Sequence, residues 1–413
     1  MFFPFCPECK EPLLYPSSKK RRKFSLEKTS PLEKFLDFLP LSKINPNLSL
    51  GEGNTPLIQL SRLRLKERFE LPQVLVKNET VNPIACFKDR GTTVAVQKAV
   101  SLGIKKIGTV STGNMASSTA AYGARAGLET FVFVKDDISS DKLLLTGMYN
   151  PVLVKVKGDY GELFYSSFSI GRKHNIYFMN SVDPFRIEGY KVTSFEIFLQ
   201  LESRIPRYIF VPVSSGGHLI GLMKAFLDLK EEGFIQRFPT FVGVQAEGCS
   251  PIAQAYASGK PKVTRIKKAE TVAHSISNPD PPGGNILLKL IQENEGIMLD
   301  VTDKEILEAQ KILAEFEGIF CEPASATALA GLLKLSGQVK FDKDDRIVLV
   351  ITGSGLKAMN VLEPSKINVR EASLSSLEKT ISSILEYYSD SQIPSFENDV
   401  HKDPDYPIET YAP

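Results

Sequence analysis

Short apolar runs rich in β-branched residues recur through the middle of the chain, at 74–76, 107–110, 130–134, 152–156, 176–179, 208–213, 241–244 and 347–351. Each has strand length, and most precede a segment of helical period: Val94, Ala95, Val100 and Leu102, then 116–126, 219–229 and 307–316. Thr302 followed three residues later by Glu305 predicts a capping box at the start of the last of these. Strands alternating with helices predict an α/β fold of two doubly wound domains, with parallel sheets and ligands at the carboxyl ends of the strands. No internal repeat is visible.

The two ends read differently. Residues 1–50 hold a lone Cys6-x-x-Cys9 pair, several prolines and the basic run Lys19-Lys20-Arg21-Arg22-Lys23, without sustained periodicity, and are expected to form an N-terminal arm with the basic run solvated. Two cysteines with no further cysteine or histidine before Cys86 fall short of the four ligands of a structural zinc. Beyond Pro364, residues 374–388 predict an amphipathic helix that docks, and the extension over 366–413 is otherwise expected to be mobile.

Composition narrows the function class. The 50 basic and 48 acidic residues nearly cancel, so no global field points to nucleic acid or a membrane surface, and a small-molecule partner is the default. No apolar run reaches the length of a membrane span, and a chain of 413 residues with 42% hydrophobic content is ample for two packed domains. Five cysteines, three of them scattered at Cys86, Cys249 and Cys321, are no disulfide framework and fit buried packing in a cytoplasmic protein.

The candidate chemistry lies just after strands. Lys88, in Asn82-Pro83-Ile84-Ala85-Cys86-Phe87-Lys88-Asp89-Arg90-Gly91, sits between an apolar stretch and a helix start, where desolvation makes an amine a Schiff-base candidate. Val110-Ser111-Thr112-Gly113-Asn114 opens a helix whose first amides suit a carboxylate. Ser214-Ser215-Gly216-Gly217-His218 can form a nest of N–H groups around a phosphate, with His218 contributing its amide. Asn180-Ser181-Val182-Asp183-Pro184-Phe185-Arg186 supplies two short polar side chains and a guanidinium fork fit for a doubly charged phosphate.

The Lys88 segment resembles the N-P-x-x-S-F-K-D-R-G signature of fold-type II pyridoxal-phosphate enzymes, in the form found in threonine synthases. Matching segments run in family order from about 50 to 360, including Glu52-Gly53-Asn54-Thr55-Pro56-Leu57, 244–248, 320–326 and Ile351-Thr352-Gly353-Ser354-Gly355-Leu356-Lys357. The resemblance implies a tryptophan synthase β-like architecture, with a large cofactor domain over 51–90 and 205–365 and a small substrate domain over 91–204. It implies that Lys88 carries pyridoxal 5'-phosphate, that Asn114 contacts its 3-hydroxyl, that 214–218 hold its phosphate, and that Thr352 meets its pyridine nitrogen. Ser111 and Thr112 would hold the substrate carboxylate, and Asn180, Ser181 and Arg186 the phosphate of O-phospho-L-homoserine, which a threonine synthase converts with water to threonine and phosphate. A homodimer is the family habit. Two positions depart from the pattern: Met115 stands where a threonine is frequent, and Ser354 replaces a histidine. The same lysine would serve a serine/threonine dehydratase, the same arginine an O-phosphoserine sulfhydrylase, and a cofactor-binding homologue without turnover is the third alternative.

Overall fold

A computed structural model describes residues 3–16, 21–61, 71–136, 138, 140–359 and 369–390. Met1–Met359 form one compact unit and Asn360–Pro413 a second.

Two sheets organise the first unit. The larger has six strands: β1 (Leu57–Gln59), β2 (Gln73–Asn78), β7 (Tyr208–Pro212), β8 (Thr240–Ala246), β9 (Ile297–Val301) and β10 (Arg346–Ile351), in the order β1-β2-β10-β7-β8-β9. The smaller has β3 (Lys106–Val110), β4 (Glu129–Lys135), β5 (Val152–Val156) and β6 (Tyr177–Phe178), ordered β5-β4-β3-β6. All pairings are parallel except that of β1 with β2, so the expected parallel sheets acquire one antiparallel edge strand. All eight predicted strands form, and β2, β7, β8 and β10 are buried almost throughout, as β-branched runs covered on both faces by helices should be.

Helices Lys88–Ser101, Asn114–Arg125, Gly217–Glu231 and Asp303–Glu317 occupy the predicted segments. Thr302 and Glu305 close the capping box: the Glu305 amide donates to Thr302 Oγ1 at 3.2 Å, and the Thr302 amide to Glu305 Oε2 at 2.6 Å. Helix Pro184–Gln200 returns the chain from the small sheet and is buried along nearly its whole length against the Lys88 and Gly217 helices. The approach is close: a Cβ on Gly189 would lie 2.3 Å from the Arg90 carbonyl oxygen, and one on Gly91 2.6 Å from the Tyr190 ring.

The N-terminal arm packs on the core, and of its basic run Arg21 and Lys23 are exposed as expected. Leu32, Phe35, Phe38, Leu39 and Leu41 join the main core, and Phe24 stacks against Phe234 with ring centroids 5.1 Å apart. Arg22, expected on a solvated run, is buried, with ion pairs to Asp228 (2.9 Å), Glu231 (2.7 Å) and Glu232 (2.7 Å). Local sequence counts the charge but cannot see the three acids waiting on the Gly217 helix. Lys19 and Lys20 lie outside the described residues. Cys86, Cys249 and Cys321 are buried, and burial pushes the thiol of Cys86 up to about 12.

In the second unit, helix Leu377–Asp390 follows a short turn at Leu374–Ser376, within the segment expected to be helical. The tail over 391–413, expected to be mobile, lies outside the described residues.

Candidate active site

Lys88 is the first residue of its helix, and its neighbours are locked in place. After β2 the chain makes a single turn at Glu79–Val81 and passes through Ala85 in the left-handed region (φ 50). Asp89 then folds the loop back, accepting from the Ile84 amide and the Ser118 hydroxyl, each at 2.7 Å. Arg90 is anchored on Glu79 (2.5 Å) and Glu196 (2.7 Å), and Glu196 also takes Lys77 at 2.7 Å. Between these anchors the Lys88 side chain is half-buried, its Nζ 4.2 Å from the Phe87 ring centroid. Desolvation lowers its pKa to about 8; Cys86 and Glu322 oppose the fall and the Arg186 guanidinium adds to it.

Ser111 and Thr112 lie half-buried between β3 and helix Asn114–Arg125, at the carboxyl end of the small sheet. The Asn114 amide is gripped at both ends. Its Nδ2 is 3.2 Å from each oxygen of Glu322, and its Oδ1 accepts from Lys357 at 3.0 Å. Glu322 is buried, accepts from Ser275 at 2.8 Å, and has its carboxyl pushed up by burial. Sequence reasoning assigned no role to Glu322, Ser275 or Lys357. Glu322 and Lys357 stand inside matched segments, but their convergence on Asn114 joins three distant parts of the chain.

At the end of β7 the turn Ser214–Ser215–Gly216–Gly217 leads into helix Gly217–Glu231. The amides of 215–218 find no acceptor among the described residues, as at any open helix start. Gly216 has φ +93, and a Cβ there would lie 2.9 Å from the Gly283 carbonyl oxygen; one on Gly217 would lie 2.5 Å from the Ser181 carbonyl oxygen. Glycine is therefore required at both, and the turn is pressed against the Ser181 loop. Ser215 Oγ accepts from Asn278 at 2.8 Å. At the end of β10 the Thr352 hydroxyl lies 2.7 Å from that of Ser325, which also accepts from the Gly353 amide at 2.8 Å. Ser325 is a further residue the sequence reading passed over. A desolvated amine, a bare-amide nest and a buried hydroxyl pair fit pyridoxal phosphate.

Arg186 is fully buried in the first turn of helix Pro184–Gln200. It donates to Met179 O (2.6 Å), Thr92 Oγ1 (2.7 Å) and Thr119 Oγ1 (2.6 Å), and among the described residues it forms no ion pair. Asp183 lies near, but its oxygens accept from Tyr177 and from the Phe185 and Arg186 amides. Asn180 turns its amide into the fold, accepting from the Val110 amide at 2.8 Å and donating to Ser167 at 3.0 Å, while Ser181 stays half-exposed beside the nest.

A surface cleft of about 500 Å³, lined by Gln254, Lys260, Asp300 and Lys334, contains none of these residues.

The model of the family described as pyridoxal-phosphate dependent enzyme matches residues 48–353. The chain is similar to the threonine synthase of Methanocaldococcus jannaschii, 37% identical over 350 residues that span 84% of this chain and 86% of that one. It is 36% identical to the threonine synthase of Methanosarcina acetivorans, over 78% of this chain and 79% of that one. Among solved structures it resembles maize serine racemase (TM-score 0.62, 18% identity, 82% of this chain and 94% of that one). It also resembles threonine deaminase isoform 2 from Solanum lycopersicum (TM-score 0.62, 19% identity, 79% and 82%). At those identities the two structures speak for the fold alone.

Proposed function

The chain belongs to the threonine synthase family of pyridoxal-phosphate dependent lyases, and on that premise we propose that it converts O-phospho-L-homoserine and water to L-threonine and phosphate. The observation that carries the choice of a phosphorylated substrate is Arg186. A buried guanidinium held by neutral oxygens and lacking a carboxylate partner is costly unless an anion completes it. Its Nη1 donates to the Thr92 hydroxyl at 2.7 Å, and that hydroxyl lies 2.8 Å from the Lys88 carbonyl oxygen, which ties the fork to the helix that begins with Lys88.

In this reading Ser111, Thr112 and the first amides of the Asn114 helix hold the substrate carboxylate. Arg186 and Ser181 hold the phosphoryl group at Cγ, with Asn180 fixing the loop that presents them. The nest at 214–218 holds the cofactor's phosphate, Thr352 with Ser325 faces its pyridine nitrogen, and Asn114, steadied by Glu322 and Lys357, faces its 3-hydroxyl. When bound, the cofactor supplies the sink for the electrons left at Cα. Lys88, an amine that loses its proton near pH 8, takes the proton from Cα and returns it there after a proton has left Cβ, phosphate has left Cγ, a proton has been delivered to Cγ and water has added at Cβ. We further propose that 51–90 with 205–365 form the cofactor domain, that 91–204 form a substrate domain closing over the ligand, and that two chains pair as a homodimer, which sedimentation of the cofactor-loaded protein checks.

The deciding experiment supplies pyridoxal phosphate and O-phospho-L-homoserine and measures threonine and phosphate together. Equimolar products, lost in Lys88→Ala, are expected; ketoacid from threonine without phosphate release from the phosphorylated substrate would overturn the reading in favour of a dehydratase.

A further inference from the structure

His218 is an imidazole with nowhere to put its nitrogens. The residue is nine-tenths buried, and neither Nδ1 nor Nε2 has a hydrogen-bond partner among the described residues. Its ring stacks on Phe87, the residue before Lys88, with centroids 3.7 Å apart and planes at 25°, and meets Tyr190 edge-on at 5.3 Å. Aromatic contacts satisfy its faces but not its polar edge, and leaving a buried polar group unpaired is unfavourable. Such a group in a working site points to a partner that arrives with the ligand.

The surroundings define that partner. Tyr190, against one side of the ring, stands four residues after Arg186, the guanidinium without a carboxylate, on the same face of helix Pro184–Gln200. Gly217, immediately before His218, is packed on Ser181. Burial, Lys88 and Arg90 all hold the imidazole in its neutral form, so it carries one N–H donor and one acceptor and adds no second full charge beside Lys88. We propose that the His218 side chain, and not its amide alone, is a specificity residue that donates its ring N–H to the phosphoryl group held by Arg186 and Ser181. The inference rests on the phosphorylated-substrate reading above and adds to it a residue that neither the nest nor the fork includes.

The test uses cofactor-loaded full-length protein with ring-15N-labelled histidine and inorganic phosphate as the probe. The chain has four histidines, and the His218 signal is the one lost in His218→Phe, a variant that keeps the stack on Phe87. Phosphate should move this signal, and the half-saturation for phosphate, followed by cofactor absorbance in parent and variants alike, should rise about tenfold or more in His218→Phe, with His218→Asn recovering part of the loss through its amide N–H. The KM for O-phospho-L-homoserine should rise in parallel, with a smaller change in kcat. A signal that moves on cofactor loading and not on adding phosphate would assign the ring to the cofactor's phosphate and overturn the proposal, as would a signal that ignores both. A phosphate response in a protein that makes no threonine would refute threonine synthesis and leave the His218 contact standing; threonine formation with no phosphate response would do the reverse.

Discussion

Substituting Gly189→Ala sets helix propensity against packing at the crossing that positions Lys88. In an isolated helix the change would stabilise by about 1 kcal/mol, because glycine is the poorer helix former. Here the added carbon would lie 2.3 Å from the Arg90 carbonyl oxygen and 2.8 Å from the Gly91 Cα. Those are backbone atoms, which no rotamer change can clear, and on the facing helix Arg90 is tied to Glu79 and Glu196. Relief requires moving one helix against the other, and overpacking of that kind costs about 1–3 kcal/mol, with a rigid backbone contact at the upper end. The net expectation is a loss of about 2 kcal/mol, together with a fall in kcat as the Lys88 helix shifts relative to Arg186. Urea unfolding followed by circular dichroism measures the first and turnover of the phosphorylated substrate the second. Gly147→Ala is the control: Gly147 is an exposed residue at the end of its helix, its added carbon would meet nothing closer than 3.9 Å, and a gain of up to about 1 kcal/mol is expected. An unfolding midpoint for Gly189→Ala at or above that of the parent protein would refute the argument.

Four other outcomes follow from the charges. Uptake of pyridoxal phosphate by the cofactor-free protein, followed by absorbance, should accelerate as pH rises through about 8, where the Lys88 amine loses its proton; acceleration centred near 10.5 would mean the amine is solvated. The same lowered basicity costs stability in full below pH 8 and is relieved as pH rises from 8 toward 10.5, so Lys88→Met should flatten that part of the stability profile. Burial would raise the Glu196 carboxyl, but Arg90 and Lys77 outweigh it and hold it near 2, so its contribution is present above pH 4.5 and lost as pH falls toward 2; in Glu196→Gln acid titration should no longer show that loss. Arg22→Met should lower stability by about 3 kcal/mol, the low end for breaking a buried pair because Lys191 still neutralises Asp228, and a change under 0.5 kcal/mol in denaturant unfolding would return the arm to the status of a surface appendage.

What could be read from the chain was whatever shows locally. Eight strands declared themselves by β-branched runs, whereas β1, three residues long on a sheet edge, and β9, with polar Asp300 inside it, carried too weak a period. Helix Pro184–Gln200 escaped because it is buried nearly all round and so has no polar stripe to set a 3.6-residue rhythm. Lys88, Arg186 and the glycine turn were visible as residue types at strand-to-helix junctions. Glu322 and Ser325 were not, since their meaning lies in Asn114 and Thr352, which come from other parts of the chain. Arg22 was misjudged for the same reason.

The position of β10 in the large sheet governs the order in which a newly made chain can finish. This strand lies between β2 and β7, pairing Arg346 with Gln73 on one side and Ile347 with Tyr208 on the other, yet among the described strands it is the last to leave the ribosome. The small sheet is complete once Phe178 has emerged, while β2 and β7 wait with open edges for their shared neighbour. During that interval the unfinished sheet exposes two raw rows of backbone donors and acceptors at its centre, the arrangement most prone to pairing with another chain. A polypeptide stopped before Arg346 would keep those rows permanently, so truncation there should yield aggregate, whereas one stopped after the strand can close the sheet.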